Sequence, residues 1–347
     1  MKAFKYILGL IAVGGLMVSC DTDVENKTVI HPKTYDSQYY ENLRNYKKSE
    51  HSIMFGYFAD YDNPMTSMQI RFMGLPDSLD MISLWGGIPS KEKTAVWDEL
   101  RFVQKVKGTK MLVCAITHID DQLDDLDFKK AYNEAKAMPA GEERDAALNR
   151  AIEMFAEYYL DQVFLNDLDG FDADYEPNGD FLSGSYFIYF IKHLAKYMGP
   201  NPEITEEERL ALIKERYGNQ ISYDENTTKK LLCVDRPGGA PAELMDVCNY
   251  NINQCYSGTT DNSNIPGFGA WPSEKVIWVH DMGDNYNNSS RPMDDYIYKF
   301  AAYQPTTGYK GGYGFYYIHR DYNILETNPE PYSRVRKCIQ IQNPAVY

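Results

Sequence analysis

The chain has 347 residues, 44% apolar and 24% charged, which is enough apolar content for a full core and is not the composition of a disordered or fibrous protein. The formal net charge of −15 repels phosphate backbones and argues against nucleic acid as a partner. Beyond Cys20, the five cysteines are odd in number and have no CxxC spacing, so they read as buried apolar side chains and not as a disulfide frame or a zinc site.

In chain order, Lys2 and Lys5 precede the apolar stretch Tyr6–Val18, which has signal-peptide length and is short for a membrane span. It ends at Met17-Val18-Ser19-Cys20, which resembles the lipobox of bacterial lipoproteins with Met17 in place of the usual Leu. That resemblance implies a signal peptide over residues 1–19 and lipidation of Cys20. Asp21, Asp23 and Glu25 resemble the surface-export signals of some Gram-negative lipoproteins, which places the expected protein on the outer membrane, facing outward. Residues 20–48 are polar and are expected to form the lipidated start and a tether, with one domain over 49–347.

Eight short apolar runs follow: Ile53–Phe58, Met81–Trp85, Lys110–Ile116, Phe171–Glu176, Lys230–Val234, Met245–Tyr250, Lys275–Val279 and Gly312–Ile318. Helical spacing appears over Ala131–Ala137, Arg144–Leu165, Ser185–Met198, Glu206–Arg216, Asp294–Tyr303 and Tyr332–Gln340. Strands alternating with helices predict a parallel sheet, and eight units predict its closure into a (β/α)8 TIM barrel.

The fourth run carries the chemistry. Asp172, Asp174 and Glu176 are spaced by two, so a strand puts them on one face and Phe171, Ala173 and Tyr175 on the other. The apolar set suits the helix side of a barrel, which turns three acids inward. Stacked, unpaired carboxylates are costly to bury and cannot all ionise freely. Acid catalysis uses such an arrangement. Glu176, at the end where barrel sites open, protonates a leaving oxygen while Asp174 polarises a substrate group and Asp172 shares its proton. An edge strand with its acids in solvent and a divalent-cation site are the competing readings.

Asp169-Gly170-Phe171-Asp172-Ala173-Asp174-Tyr175-Glu176 resembles the Asp-Gly-x-Asp-x-Asp-x-Glu signature of glycoside hydrolase family 18, with all five fixed residues present and on the fourth run. The likeness spans roughly residues 50–345. Ser52–Phe58 resembles that family's first strand and Gly311–Tyr316 its eighth. Asn253-Gln254-Cys255-Tyr256 resembles the Gln-x-Tyr of the endo-β-N-acetylglucosaminidase branch. Cys114-Ala115-Ile116-Thr117-His118 stands where chitinases carry Ser-x-Gly-Gly, and about thirty residues between Val279 and Gly311 leave no room for the small domain many chitinases insert there.

The resemblance implies substrate-assisted, retaining cleavage of the GlcNAc-β1,4-GlcNAc core of N-linked glycans. Glu176 is then the acid/base, Asp174 and Asp172 support the substrate's acetamido group, and Tyr256 and Gln254 position the sugar. Tyr57, Trp85, Trp271 and Tyr316 are expected to bind substrate, with Tyr316 where chitinases usually have Trp. The expected partner is an N-acetylglucosamine-containing glycan, and the protein is expected to act as a monomer without cofactor or metal. A chitinase-like hydrolase and a non-catalytic surface glycan-binding barrel are the alternatives. The Asp and Glu that such a binder usually loses are both kept here.

Overall fold

The computed structural model describes residues 33–61, 67–119, 126–176, 182–256, 265–290, 292–326 and 328–344. The expected signal segment and Cys20 lie outside the described residues.

Eight parallel strands close a barrel in chain order, β8 returning to pair with β1. They are β1 Ile53–Phe58, β2 Met81–Leu84, β3 Lys110–Ile116, β4 Gly170–Asp174, β5 Leu231–Arg236, β6 Tyr250–Gln254, β7 Val276–Asp281 and β8 Gly312–Tyr316. The helices among the described residues are α1 Ser37–Lys48, α2 Thr94–Arg101, α3 Asp127–Lys136, α4 Glu142–Phe164, α5 Gly184–Leu194, α6 Glu206–Tyr217, α7 Ile297–Ala302 and α8 Ser333–Gln342. The fold is the predicted (β/α)8 barrel.

Strand alternation produces two apolar layers. Phe55, Leu112, Ile252, Ile277 and Val279 fill the interior. Phe171, Ala173 and Tyr175 face outward as expected. Phe171 stacks on Tyr159 of α4 at 4.7 Å, and Tyr175 stacks on Phe187 of α5 at 3.9 Å. These contacts fix the face of β4 that meets the helices, and so the face that carries the acids.

The Asp-Gly that opens the signature is structural. Asp169 accepts from Gln104 Nε2 at 2.7 Å and from the Met111 amide at 2.9 Å, which pins the start of β4 to β3. A Cβ on Gly170 would stand 2.2 Å from the Leu231 carbonyl oxygen, so only glycine lets β4 and β5 approach this closely.

Three expectations are corrected. The segment 37–48, expected as tether, is helix α1. Asp36 caps it by accepting from the Tyr39 amide, and Lys47 ties it to the chain ahead of β2 and β3 by donating to the Leu79 carbonyl and the Thr109 hydroxyl, each at 2.7 Å. The sixth strand is Tyr250–Gln254, not Met245–Tyr250. Its outward Asn251 and Asn253 are polar because no α-helix lies between β5 and β6 among the described residues; their carboxamide oxygens accept from the Ala240 and Gly238 amides of the loop instead. The third correction concerns the alternation of strand and helix: β1 and β2, like β5 and β6, are joined through 3-10 turns, and the described part of the β6–β7 connection holds only a 3-10 turn. Helix α2, over Thr94–Arg101, was not among the predicted helices.

Candidate active site

Each candidate group reaches the C-terminal mouth of the barrel by strand parity. Asp172 and Asp174 point inward from β4 and are buried. The Tyr175 amide donates to the Asp235 carbonyl at 2.9 Å, so the ladder runs one residue past β4. Tyr175 turns out toward Phe187, and Glu176, next in line, takes the inward parity at the rim, where it is half-buried.

Asp172 accepts from the Ser83 hydroxyl of β2 at 2.6 Å, with the Cys114 thiol 4.0 Å away. Asp174 accepts from Gln254 Nε2 of β6 at 3.2 Å, and the same amide nitrogen donates to Asp235 of β5. Gln254 therefore clamps two carboxyl groups from neighbouring strands. Burial raises Asp172 and Asp174 above the ordinary carboxylate range; for Asp174 the charges of Glu176 and Asp172 add to the rise, and Gln254 opposes it. Tyr256 lies just past β6, and burial next to Asp235 and Asp174 keeps its hydroxyl protonated.

Three of the four predicted sugar-binding rings come together. Trp85 and Tyr316 meet edge-on at 5.4 Å, and Tyr57 reaches both, at 6.2 and 5.9 Å. Tyr256 joins them through Tyr316 at 5.4 Å. This aromatic wall adjoins the acids, with Tyr57 next to Asp172 and Tyr256 next to Asp174 and Asp235. Trp271 stands apart. It is buried among the outer-layer side chains, and its indole donates to the Ala240 carbonyl at 3.1 Å. It walls a separate cavity of about 660 Å³ that opens beside Gln254, together with Gly238, Asn253, Phe268 and Phe300.

The sequence reading missed Asp235 and Ser83. Asp235 is fully buried, faces Asp174 across the β4–β5 register, and immediately follows the predicted fifth run. An acid closing an apolar strand at the catalytic end was its available signal. Cys114, Asp172 and Asp235 bring a sulfur and two carboxylate oxygens within 4.8 Å of one another. Burial raises the Cys114 thiol well above its ordinary value, so it keeps its proton and makes a poor cation ligand. We read the two acids of the group as sharing protons with each other and with Asp174.

A closed (β/α)8 barrel with tuned carboxyl groups on one strand, an acid at the rim and a wall of aromatic rings is the architecture of a glycoside hydrolase. The chain belongs to glycoside hydrolase family 18: the model of its BT1044-like group matches residues 22–267. It is 25% identical over 377 aligned positions to endo-β-N-acetylglucosaminidase F2 of Elizabethkingia meningoseptica, covering 98% of both chains. A solved structure of selenomethionine BT1044 superposes with a TM-score of 0.62 at 25% identity, over 89% of this chain and 93% of the other. The fold is shared with the apo endo-β-N-acetylglucosaminidase of Cordyceps militaris, with a TM-score of 0.59 at 20% identity over 90% and 98% of the two chains.

Proposed function

We propose that the protein is an endo-β-N-acetylglucosaminidase that cleaves the GlcNAc-β1,4-GlcNAc core of N-linked glycans with retention of configuration. The observation that carries this reading is the clamp of Gln254 on Asp174 with Tyr256 beside it, because it builds a receptor for an acetamido group next to the rim acid. Full-length similarity to endo-β-N-acetylglucosaminidase F2 supports it.

Glu176 gives its proton to the glycosidic oxygen. The substrate's own 2-acetamido oxygen attacks the anomeric carbon, and the bond to the departing sugar breaks. Asp174 orients the acetamide nitrogen and balances the charge of the oxazolinium ion, while the Tyr256 hydroxyl donates to the acetamido oxygen. Water, deprotonated by Glu176, then opens the ring from the same face. Trp85 and Tyr316, whose rings are partly exposed, supply the platform on which the sugar stacks, whereas Tyr57, expected to bind substrate, is buried behind them and backs the platform.

The test is mass spectrometry of N-glycoproteins after incubation with the protein. Loss of the glycan with one GlcNAc left on Asn is expected, and Glu176→Gln should abolish it. Binding of the same glycoproteins without cleavage would make the barrel a glycan-binding module. The Cys20 motif supports lipid anchoring, and Asp21, Asp23 and Glu25 support an outward-facing place on the outer membrane, a site suited to external glycoproteins. Metabolic labelling with a fatty acid should mark the wild type and not Cys20→Ser.

A further inference from the structure

Asp235 has no part in the reaction just described, yet it is as fully enclosed as Asp172. One of its oxygens, Oδ1, accepts from Gln254. The other, Oδ2, is buried and no donor among the described residues reaches it. Asp172 is similarly enclosed, with Oδ1 meeting no donor at close range among the described residues, but the Ser83 hydroxyl on Oδ2 and the nearby Tyr57 hydroxyl both support its charged form. Oxygens of these two carboxyl groups approach within 4.8 Å. Two carboxylates, each with an unpaired buried oxygen facing a like charge, repel each other and leave both acceptors unsatisfied. Asp235 also interacts with both β4 acids in the sense that lowers the pKa of Asp172 and Asp174 and raises that of Asp235, as a single proton held on Asp235 requires.

The groups acting most strongly on this cluster offer no compensating cation. Asp172, Asp174 and Glu176 come from β4 and its end, and Cys114, Cys233, Tyr57 and Tyr256 from β3, β5, β1 and β6. All are acidic or neutral. Asp172 has the Ser83 hydroxyl, and Asp174 lies nearer the mouth, so each has some support as an anion. Asp235 shares its one amide donor with Asp174.

We infer that Asp235 is held as a neutral carboxylic acid, and that its O–H, donated to the β4 carboxyl groups, keeps Asp174 ionised for the reaction. It is a positioning residue that acts through Asp174. Burial and the two neighbouring carboxylates raise Asp235 well above the ordinary carboxylate range, in the direction this requires. A carboxylic acid kept neutral at neutral pH in order to donate is a known use of an apolar site. The kinetic consequence rests on the function proposed above, whereas the position of the proton does not.

Two readouts test it. In difference infrared spectra at pH 8, wild type minus Asp235→Asn should show one protonated-carboxyl stretch that the variant lacks, and Asp235→Leu should lack it too. In pH–rate profiles, Asp235→Asn replaces one neutral donor with another, so the acid limb of kcat/KM should stay in place and activity should fall less than about tenfold. Asp235→Leu removes the donor, so that limb should move up by about one pH unit. No lost band, or an acid limb that moves down in Asp235→Asn because a negative charge has been removed, overturns the inference. The infrared arm is read without turnover, so it decides the proton's place even if no glycan is cleaved.

Discussion

At the residue scale, the site is a set of side chains whose roles follow from what each can donate. Tyr256 is held by its ring against Tyr316, which leaves its hydroxyl for the substrate. Tyr256→Phe should lower kcat/KM by about 10–100-fold, the value of one well-placed hydrogen bond in a dry site, with an unchanged thermal midpoint. Steady-state kinetics on a GlcNAc-GlcNAc substrate beside a melting curve check both halves. The acids of β4 were legible because a period of two assigns them to one face whatever the tertiary context. Asp235 was not, because a single acid at a strand end carries no pattern, and only the β4–β5 register shows which carboxyl it meets. Trp271 shows the opposite failure: a Trp in a Gly/Pro loop looks like a sugar platform, but its indole is spent on the Ala240 carbonyl.

At the scale of elements, strands with two apolar faces could be read and the strand with a polar outer face could not. β1 and β3 run to the residues predicted, since both faces of each are apolar. β6 was misplaced by about five residues because apolar content drew the prediction to Met245–Tyr250, whereas Asn251 and Asn253 of the real strand serve a loop. Helix α7 illustrates another device hidden from the sequence. It is short, and its end is closed by Lys310, whose ammonium is fully buried and donates to the carbonyls of Phe300, Ala301 and Tyr303. The three bonds need the protonated ammonium, which suits the helix C-terminus, but burial lowers Lys310 to about 7, so the set is complete only below that pH. Lys310→Met would leave those acceptors unpaired and should cost about 2–3 kcal/mol in denaturant unfolding.

At the scale of the molecule, a chain of net charge −15 carries several acids inside, and their protons tie stability to pH. Asp321 is the clearest case outside the mouth. Its carboxyl accepts from the Val335 amide at the start of α8 at 2.9 Å, and burial, the largest influence, raises it from 3.8 to about 7. A carboxyl raised on folding stabilises the fold below 3.8, and that contribution is lost as the pH climbs through about 7. Asp321→Asn should therefore gain on the wild type across this window, by on the order of 4 kcal/mol, and hold a constant difference above it. The mouth acids titrate in both proteins and cancel from the difference, which unfolding curves at several pH values would give.

The connections that lack helices have a further consequence, for how such a barrel diversifies. Where α4 and α5 cover β4, an added residue must be reconciled with a packed layer of aromatic side chains. Between β5 and β6 the chain crosses on a glycine-bearing turn with no α-helix among its described residues to repack, so an insertion that spares the bonds of Gly238 and Ala240 to β6 costs mainly chain closure, about 0.6 kcal/mol for each doubling of length. That flank borders Gln254 and the cavity beside it. Descendants of this barrel can lengthen, exchange or recolour the rim that meets the outer sugars of a substrate while the acids of β4 stay where they are, and new preferences can arise there without the fold being renegotiated.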